Sequence, residues 1–423
     1  MSDPEKLPHK KEIAANKGKI SRRTLIGGLA TATAAVLLKH SAAQVVQTAL
    51  PADAFLLQDP TKVLGPLPGE LGDRSPFEKP VRKPSDTSSR TPLQDLYGTI
   101  TPSDLHYERH HGGIPAIDPH KYELLIHGMV DKPTIFTLAG LKRFPSFSRL
   151  FFLECSGNFR GNKETLTPQD ICGLTSQSEW TGVMLSTLFK EVGIHPKASW
   201  FLAEGSDAAV MTRSIPIKKA LEEGMIAYGQ NGEALRPAQG YPARLILPGW
   251  EGNTSVKWIR RIEVSDQPFM TREETSKYTE QVKDKVRQFS FVMDARSIIT
   301  FPAYPVQVQK GWIEIRGIAW SGRGKVSKVD ISTDAGKSWR PAHLQEPILD
   351  KAHTAFRYLW NWDGRATEIM SRVTDETGYT QPTFQQLKAA RGASGGYHMN
   401  PITAWQIKGD GRVLLKPESL KSA

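Results

Sequence analysis

The hydrophobic pattern of this chain changes near residue 290, and that change limits the folds it can adopt. From about 96 to 268, short strand-like runs at 122–126, 150–153, 243–247 and 256–259 alternate with turns and with helical stretches at 181–192 and 217–221. This mixture is typical of an α+β domain. From about 290 the runs are purely β, as at 312–320 and 326–332. Short alternating runs between turn residues predict an antiparallel sandwich of immunoglobulin-like size.

Length and composition are consistent with that division. The chain has 423 residues, enough for two or three domains, and its 39% hydrophobic and 23% charged residues are typical of a soluble globular protein. We predict a targeting segment at 1–43, an extended Pro-rich arm at 44–95, the α+β domain at 96–270, a polar linker at 271–288 and the β-sandwich at 289–423.

Residues 1–43 have the pattern of an export signal. A basic stretch leads to the pair Arg22-Arg23, and a weakly apolar run follows at 25–38. This arrangement is typical of twin-arginine export, and the run is shorter than the roughly 20 residues that span a bilayer. An uncleaved anchor or a chance basic pair is the alternative, and cleavage could occur around Ala43 or Ala54. The signal predicts a periplasmic protein and, because this route carries folded proteins, favours one that acquires a complex cofactor before export.

Charge restricts the class of partner. The signal segment accounts for +5 of the formal net charge of +11, so the remaining chain is only mildly basic. No long Lys/Arg cluster with interleaved aromatic residues is present, so the sequence does not have the pattern of a nucleic-acid-binding protein. A mild positive surplus suits an anionic substrate or an acidic partner protein.

The chain has two cysteines, Cys155 and Cys172. It has no CxxCH motif for covalent haem, no CxxC pair and no four-cysteine iron–sulfur pattern. We therefore predict that this chain carries no haem and that any onward electron carrier is another polypeptide.

The strongest local signal surrounds Cys155. An apolar run ends at this residue, and Ser-Gly-Asn then turns the chain, which places a thiol at the mouth of a sheet. Arg160 is expected to lower the pKa of the thiol and to attract anions. A thiolate is a soft ligand, suited to a high-valent metal that is already bound by sulfur. An inert core thiol, a disulfide with Cys172 and a hydrolase-type nucleophile are the alternatives.

A second polar cluster contains Arg109, His110 and His111, followed by two glycines. Adjacent histidines point in different directions on a strand or a helix, so this pair is a poor chelator. An anion-facing loop fits the residues better, and a plain surface turn is the alternative.

The segment around Cys155, Leu-Glu-Cys-Ser-Gly-Asn-Phe-Arg, resembles the cysteine loop of the sulfite oxidase family of molybdopterin oxidoreductases, and the resemblance extends through most of the chain after about residue 95. It implies that Cys155 ligates molybdenum and that the cofactor is a pyranopterin dithiolene. The residues that it implies for cofactor binding are Tyr107, Arg109, His110, His111, Cys155, Asp207, Gln239, Arg244, Ser255, Val256 and Lys257.

The resemblance also implies roles at the substrate. Arg109, Arg160 and Arg391 would hold an anion, and Tyr278 would hydrogen-bond the reacting oxygen and steer protons. Two of the implied roles have structural alternatives. Arg244, assigned to the cofactor, could be a buried ion-pair partner, and Arg391, assigned to the substrate, could form a salt bridge at the domain junction. In fold terms, the resemblance implies a mixed α+β molybdopterin domain followed by an immunoglobulin-like dimerisation domain.

Within the family, residues 107–115 most resemble the molybdenum subunit of sulfane dehydrogenases. Two departures from the wider family matter, since Gln239 replaces a histidine and His110 replaces an asparagine. This branch implies a c-type cytochrome subunit as electron acceptor, a sulfur-carrier protein that presents the substrate on a cysteine, and a homodimer of this chain within a hetero-oligomer. A sulfite dehydrogenase that uses free sulfite is the rival enzyme, and an exported β-sandwich binding protein with a Cys155–Cys172 disulfide is the rival outside enzymes.

Overall fold

The computed structural model describes residue 67 and residues 69–281, 287–391 and 397–417, all of which belong to one compact unit. The predicted export signal at 1–43, most of the predicted arm before residue 69 and residues 282–286 of the predicted linker lie outside the described residues. Within the described ranges, no helix combines the length and the apolar character needed to cross a bilayer.

Strands dominate the secondary structure. In the first part of the chain they are β1 (Lys83–Pro84), β2 (Ser88–Arg90), β3 (Glu108–Arg109), β4 (Glu123–Gly128), β5 (Thr134–Thr137), β6 (Phe147–Glu154), β7 (Thr175–Met184), β8 (Trp200–Gly205), β9 (Thr212–Pro216), β10 (Met225–Gln230), β11 (Glu233–Ala234), β12 (Arg244–Ile246), β13 (Ile259–Ser265), β14 (Thr279–Gln281) and β15 (Arg287–Phe289). In the last part they are β16 (Arg296–Phe301), β17 (Gly311–Trp320), β18 (Val326–Ser332), β19 (Arg340–Pro341), β20 (His343–Leu344), β21 (Thr354–Trp362), β22 (Thr367–Asp375), β23 (Ala404–Ile407) and β24 (Val413–Leu415). The helices are α1 (Leu138–Leu141), α2 (Pro168–Cys172), α3 (Leu185–Val192), α4 (Ile217–Glu223), α5 (Arg272–Ser276) and α6 (Phe384–Arg391).

Two five-stranded sheets form the frame of the first part. One has the order β5-β4-β13-β8-β9, with β13 parallel to β4 and antiparallel to β8. The other has the order β11-β10-β7-β6, and β12 also pairs with β10. Leu124 and Phe201 of the first sheet pack with Ile226 and Leu245 of the second and with Leu188 of α3 in one buried cluster. Burial of these apolar faces supplies the main driving force for the packing of the two sheets.

Several predicted elements are present: the runs at 122–126, 150–153 and 243–247 coincide with β4, β6 and β12, and 217–221 falls within α4. The predicted helix at 181–192 is wrong in its first turn, because these residues continue β7. Gly182 pairs with Phe147 of β6 on one side and with Ala227 of β10 on the other. A backbone partner on each edge outweighs the local helical pattern, so α3 begins only at Leu185.

The predicted strand at 256–259 is also wrong. Trp258 has a φ angle of 52°, a left-handed conformation that interrupts a strand. β13 therefore begins at Ile259, and the residues before it are free to line a cavity.

The last part of the chain is an antiparallel sandwich. Its sheets have the orders β16-β17-β21-β20 and β19-β18-β22-β23-β24. Side chains alternate between buried and outward positions along most of β17 and β22, and Trp320, Phe356 and Trp405 are fully enclosed in its core. The predicted fold class, a mixed α+β domain followed by a β-sandwich, is thus confirmed.

Glu154, the last residue of β6, joins the two parts. Its buried carboxylate accepts hydrogen bonds from Trp320 Nε1 at 2.7 Å and from Asn158 Nδ2 at 3.0 Å, and it pairs with Arg296 at 3.0 Å. Cys155 follows Glu154 immediately. The contacts with the sandwich therefore fix the end of β6, where the loop that carries Cys155 begins.

Candidate active site

A cavity of about 640 Å³ opens where β6 ends. Every residue predicted to contact a cofactor lies in its wall, although the loops that carry them are far apart in the chain: Tyr107, Arg109, His110, His111, Cys155, Asp207, Gln239, Arg244, Ser255, Val256 and Lys257. Tyr278, from the segment after α5, also lines the cavity. The fold thus assembles the predicted set at one place, and the individual roles remain predictions.

Cys155 sits on a tight turn at the cavity. Its N–H donates to the Leu174 carbonyl at 3.0 Å, and its own carbonyl accepts from the Asn158 N–H at 3.0 Å. Burial raises the pKa of the thiol, against the opposing effects of the Gly157 N–H and the Arg109 guanidinium. The expectation that Arg160 lowers this pKa is wrong, because Arg160 is exposed and desolvation of the thiol outweighs the nearby positive charge.

Both cysteines are free, so the alternative of a Cys155–Cys172 disulfide is not realised. The physical reason is that the two side chains pack in different hydrophobic clusters. Cys172, at the end of α2, lies in the core that the sandwich shares, whereas Cys155 packs beside Leu153 under the cavity. Burial raises the pKa of Cys172 to about 12, as expected for an inert core thiol.

Arg244 projects from β12 and is almost completely buried. Its Nη1 donates to the Gln239 carbonyl at 2.9 Å and its Nη2 donates to the Ser255 carbonyl at 2.8 Å. Burial lowers the pKa of Arg244 to about 10. Among the ion pairs of the described residues none includes Arg244, so the ion-pair alternative is not realised and the guanidinium faces the cavity with uncompensated charge.

Lys257 is a second basic residue of the wall. Its Nζ lies 2.8 Å from His110 Nδ1 and donates to the Ala238 carbonyl at 3.1 Å. His110 Nε2 lies 2.6 Å from the Glu108 carboxylate. Burial, together with the Arg244 charge, holds the pKa of Lys257 well below its usual value, so a bound anion would be needed to stabilise the ammonium form.

His111 contacts a different group from His110, although both residues line the cavity. Its Nε2 lies 2.8 Å from the Tyr278 hydroxyl. Burial and the Arg109 charge lower the pKa of His111 to about 4, while burial raises the pKa of Tyr278. The pair is therefore an uncharged imidazole and a protonated phenol at neutral pH.

The loop that carries these histidines is built into the site and is not a plain surface turn. A Cβ on Gly112 would lie 2.4 Å from the Ala209 backbone nitrogen, so only glycine allows this close approach. The loop at 207–211 is in turn closed by the Asp207 carboxylate, which accepts from the Met211 N–H at 2.9 Å.

Two predicted substrate residues are not brought to the cavity. Arg160 and Arg391 are absent from its wall. Arg391 ends α6, forms an ion pair with Asp294 and donates to the His398 carbonyl at 2.6 Å. This ion pair lies within the predicted sandwich at 289–423, so it does not bridge the domain junction, and the role of Arg391 at the substrate stays a prediction.

Several residues beside the cavity were not predicted. Tyr397 lies with its ring 5.2 Å from that of Tyr278. Behind Tyr278 lie Arg213, Glu251 and the other members of a buried charge network. The available signal was weak: Arg213 and Glu251 are charged residues inside otherwise uncharged stretches, and only the tertiary fold makes them neighbours.

The chemistry of the wall suits a large anionic ligand. Three residues of the wall each have a buried polar atom without a hydrogen-bond partner among the described residues, namely His106 Nε2, Arg244 Nε and Asn253 Oδ1. Buried polar atoms are rarely left unpaired, so a ligand with several polar atoms at its edge would supply the missing hydrogen-bond partners. Arg109, Arg244 and Lys257 can neutralise a phosphate, and Cys155 offers a soft donor to a metal. These residues fit a molybdenum-bearing pterin cofactor.

Comparison with known proteins agrees with this fit. Residues 111–273 match the oxidoreductase molybdopterin binding domain family, and residues 287–404 match the Mo-co oxidoreductase dimerisation domain family. The mitochondrial sulfite oxidase of Drosophila melanogaster is 31% identical over 340 residues, which are 70% of this chain and 58% of that protein. An NADH nitrate reductase of Phaseolus vulgaris is 30% identical over 70% of this chain and 39% of its own length. The chain thus spans only part of these relatives.

A solved structure covers more of the chain. The sulfane dehydrogenase SoxCD from Paracoccus pantotrophus matches with a TM-score of 0.84 and 39% identity, over 87% of this chain and 100% of that one. With both domain families matched in order and the predicted cofactor-binding residues gathered around one cavity, this chain belongs to the sulfite oxidase family of molybdopterin-dependent oxidoreductases.

Proposed function

We propose that this chain is the molybdenum-containing subunit of a sulfane dehydrogenase. The observation that carries the proposal is the match to SoxCD, which is 39% identical over the whole of that chain, against 31% identity over 58% of the fruit-fly sulfite oxidase. The resemblance of residues 107–115 to the same branch supports it, because Tyr107, Arg109, His110 and His111 all line the cavity.

In this proposal Cys155 ligates molybdenum, and Arg244 and Lys257 hold the anionic part of the pterin cofactor. When bound, the cofactor supplies two-electron oxidation of sulfur with transfer of oxygen derived from water. The protein's share is to bind and orient. The buried, uncompensated Arg244 and the desolvated Lys257 are groups whose charge a cofactor phosphate would stabilise.

Arg109, His111 and Tyr278 form the part of the wall assigned to the substrate. Arg109 supplies a positive charge that attracts an anionic sulfur group. The raised pKa keeps the Tyr278 phenol protonated, and the neutral His111 ring 2.8 Å away can accept its hydrogen bond. The pair can therefore hold a proton beside the substrate without placing a net charge in the cavity.

The partners follow from the same proposal. A c-type cytochrome subunit would accept the electrons, since this chain has no haem-attachment motif. A sulfur-carrier protein would present the substrate on a cysteine, and two copies of this chain would associate through the Mo-co dimerisation domain. The twin-arginine pattern around Arg22 and Arg23 supports export to the periplasm.

The test compares substrates for the purified molybdenum-loaded protein with a c-type cytochrome as acceptor. We expect fast reduction of the cytochrome only when a sulfur-loaded carrier protein is added. High turnover of free sulfite without a carrier would overturn the proposal and establish the rival sulfite dehydrogenase, which the 31% identity to a sulfite oxidase favours. Nitrate reduction is the third arm of the assay, because a nitrate reductase is similarly related. In this arm nitrate is the electron acceptor, and reduced methyl viologen replaces the sulfur substrate as the electron donor.

A further inference from the structure

A network of buried charged side chains lies directly behind Tyr278, outside the residues that line the cavity. Its centre is Arg213 on β9, which is completely enclosed. Arg213 Nε donates to Glu274 Oε1 at 2.7 Å, and its Nη1 donates to Glu251 Oε2 at 3.1 Å. The guanidinium carbon also lies 5.1 Å from the centroid of the Tyr278 ring. One cation thus contacts two carboxylates and the phenol ring.

The network joins segments that are far apart in the chain. Glu274 belongs to α5, just before Tyr278. Glu251 precedes two cavity residues, and its Oε1 lies 2.8 Å from His398 Nε2. The His398 N–H donates to the Ser156 carbonyl at 2.9 Å, in the cysteine loop. Through these contacts the Tyr278 segment is fixed to the loop that carries Cys155.

We propose that Arg213 is a positioning residue that fixes the Tyr278 phenol relative to Cys155, and that Glu251 and Glu274 act through it. The proposal rests on the proposed function, which assigns Tyr278 to the substrate wall. His111 holds the hydroxyl of Tyr278 at 2.8 Å, and Arg213 contacts the ring. Carboxylates from two segments, Glu251 and Glu274, hold the guanidinium of Arg213 in one orientation. The guanidinium in turn limits the movement of the Tyr278 ring that it contacts.

A purely stabilising role explains the network less well. Arg213, Glu251 and Glu274 are each 97% buried or more, and removing such charges from water costs about as much free energy as their attraction returns. Apolar side chains of similar volume often give equal or greater stability at such positions. Apolar side chains would not make the directional contacts of the Arg213 guanidinium, so those contacts point to a positioning role.

The experiment is a double-mutant cycle on the holoenzyme. We expect Arg213→Met to lower kcat on the order of 10²-fold, with a much smaller change in KM and with unchanged molybdenum content, because a small misplacement of a reacting group has effects of this size. In a Tyr278→Phe background the same change should lower kcat no further. An equal factor in both backgrounds would overturn the proposal, since Arg213 would then act independently of the phenol.

The matched control is Arg372→Met in the sandwich. Arg372 also combines an ion pair, with Asp330 at 3.2 Å, and a cation–π contact, with Trp339 at 4.2 Å. We expect it to leave kcat unchanged, and a loss equal to that of Arg213→Met would contradict a specific role. If the methionine variant of Arg213 does not fold, Arg213→Lys keeps the charge but cannot bridge both carboxylates, and the same result is expected.

A readout that needs no substrate separates this proposal from the proposed function. Crystal structures of the substrate-free holoenzymes should show the Tyr278 ring displaced in Arg213→Met relative to the wild type. The ring should keep its wild-type position in the Arg372→Met control. A Tyr278 ring in the wild-type position in Arg213→Met would overturn the positioning role, even if the wild type proved to oxidise free sulfite.

Discussion

His353 shows how one buried polar ring makes the stability of this protein depend on pH. It lies below the cysteine loop, with its ring 5.8 Å from Phe152 and 5.0 Å from Trp320, and its Nε2 is 3.0 Å from the Thr175 hydroxyl. Burial lowers the pKa of His353 to about 3. The folded protein therefore keeps the ring neutral at a pH where the unfolded chain already binds a proton.

The sign of the effect follows from this difference. As the pH falls below about 6.5, the unfolded state gains a proton that the folded state does not bind, so folding stability decreases. Between about pH 7 and pH 5 we expect His353 to account for a loss of about 2 kcal/mol. Urea unfolding at both pH values should show a loss smaller by that amount in His353→Gln than in the wild type. Equal losses in the two proteins would show that the ring titrates normally.

At the scale of elements, prediction succeeded where the chemistry is local. The apolar run, the turn and the thiol at 150–158 are contiguous, and the structure places Cys155 at the end of β6 as expected. Prediction failed where distant segments decide the conformation. β7 extends to Met184 because β6 and β10 pair with it, and the residues before Ile259 leave strand geometry to line the cavity. The local sequence pattern identifies neither the strands that pair with β7 nor the cavity beside Ile259.

Gly252 marks the point where two of these elements meet. Its N–H donates to the Glu154 carbonyl at 2.6 Å, and a Cβ there would lie 2.6 Å from the Tyr107 hydroxyl and 2.8 Å from the Glu154 oxygen. We expect Gly252→Ala to lower the free energy of unfolding by about 1–3 kcal/mol through overpacking, and to reduce the molybdenum content. Gly72→Ala, where a Cβ would meet nothing within 4 Å, is the matched control. A Gly252→Ala protein as stable and as metal-rich as this control would contradict the close packing.

At the scale of the whole molecule, the order of the two folds could be predicted from the change in periodicity near residue 290, but their junction could not. The contact between Trp320 Nε1 and Glu154 joins residues 166 positions apart. The Thr175 hydroxyl and His353 Nε2 likewise lie 3.0 Å apart, although 178 positions separate the two residues. Contacts of this kind depend on how the two folds pack, which no local pattern encodes.

Substitution of Trp320 tests the contact between the two parts of the chain. Trp320→Phe removes a hydrogen bond to a buried carboxylate, so we expect a loss of about 2 kcal/mol in the free energy of unfolding. Trp312→Phe on the same strand, where the side chain is 45% exposed, should change stability by no more than about 0.5 kcal/mol. Denaturant unfolding of both variants provides the measurement. Equal stabilities would mean that the Glu154 contact does not hold the two parts together.

The proposed active site depends on the assignment of Cys155 as the ligand that supplies a thiolate to molybdenum. X-ray absorption at the molybdenum edge counts the sulfur atoms bonded to the metal. We predict one fewer sulfur neighbour in Cys155→Ser than in the wild type, and an unchanged number in Cys172→Ser, since that thiol is buried in the sandwich-side core. The same sulfur count in the wild type and Cys155→Ser, or a wild-type protein that binds no molybdenum, would contradict the assignment.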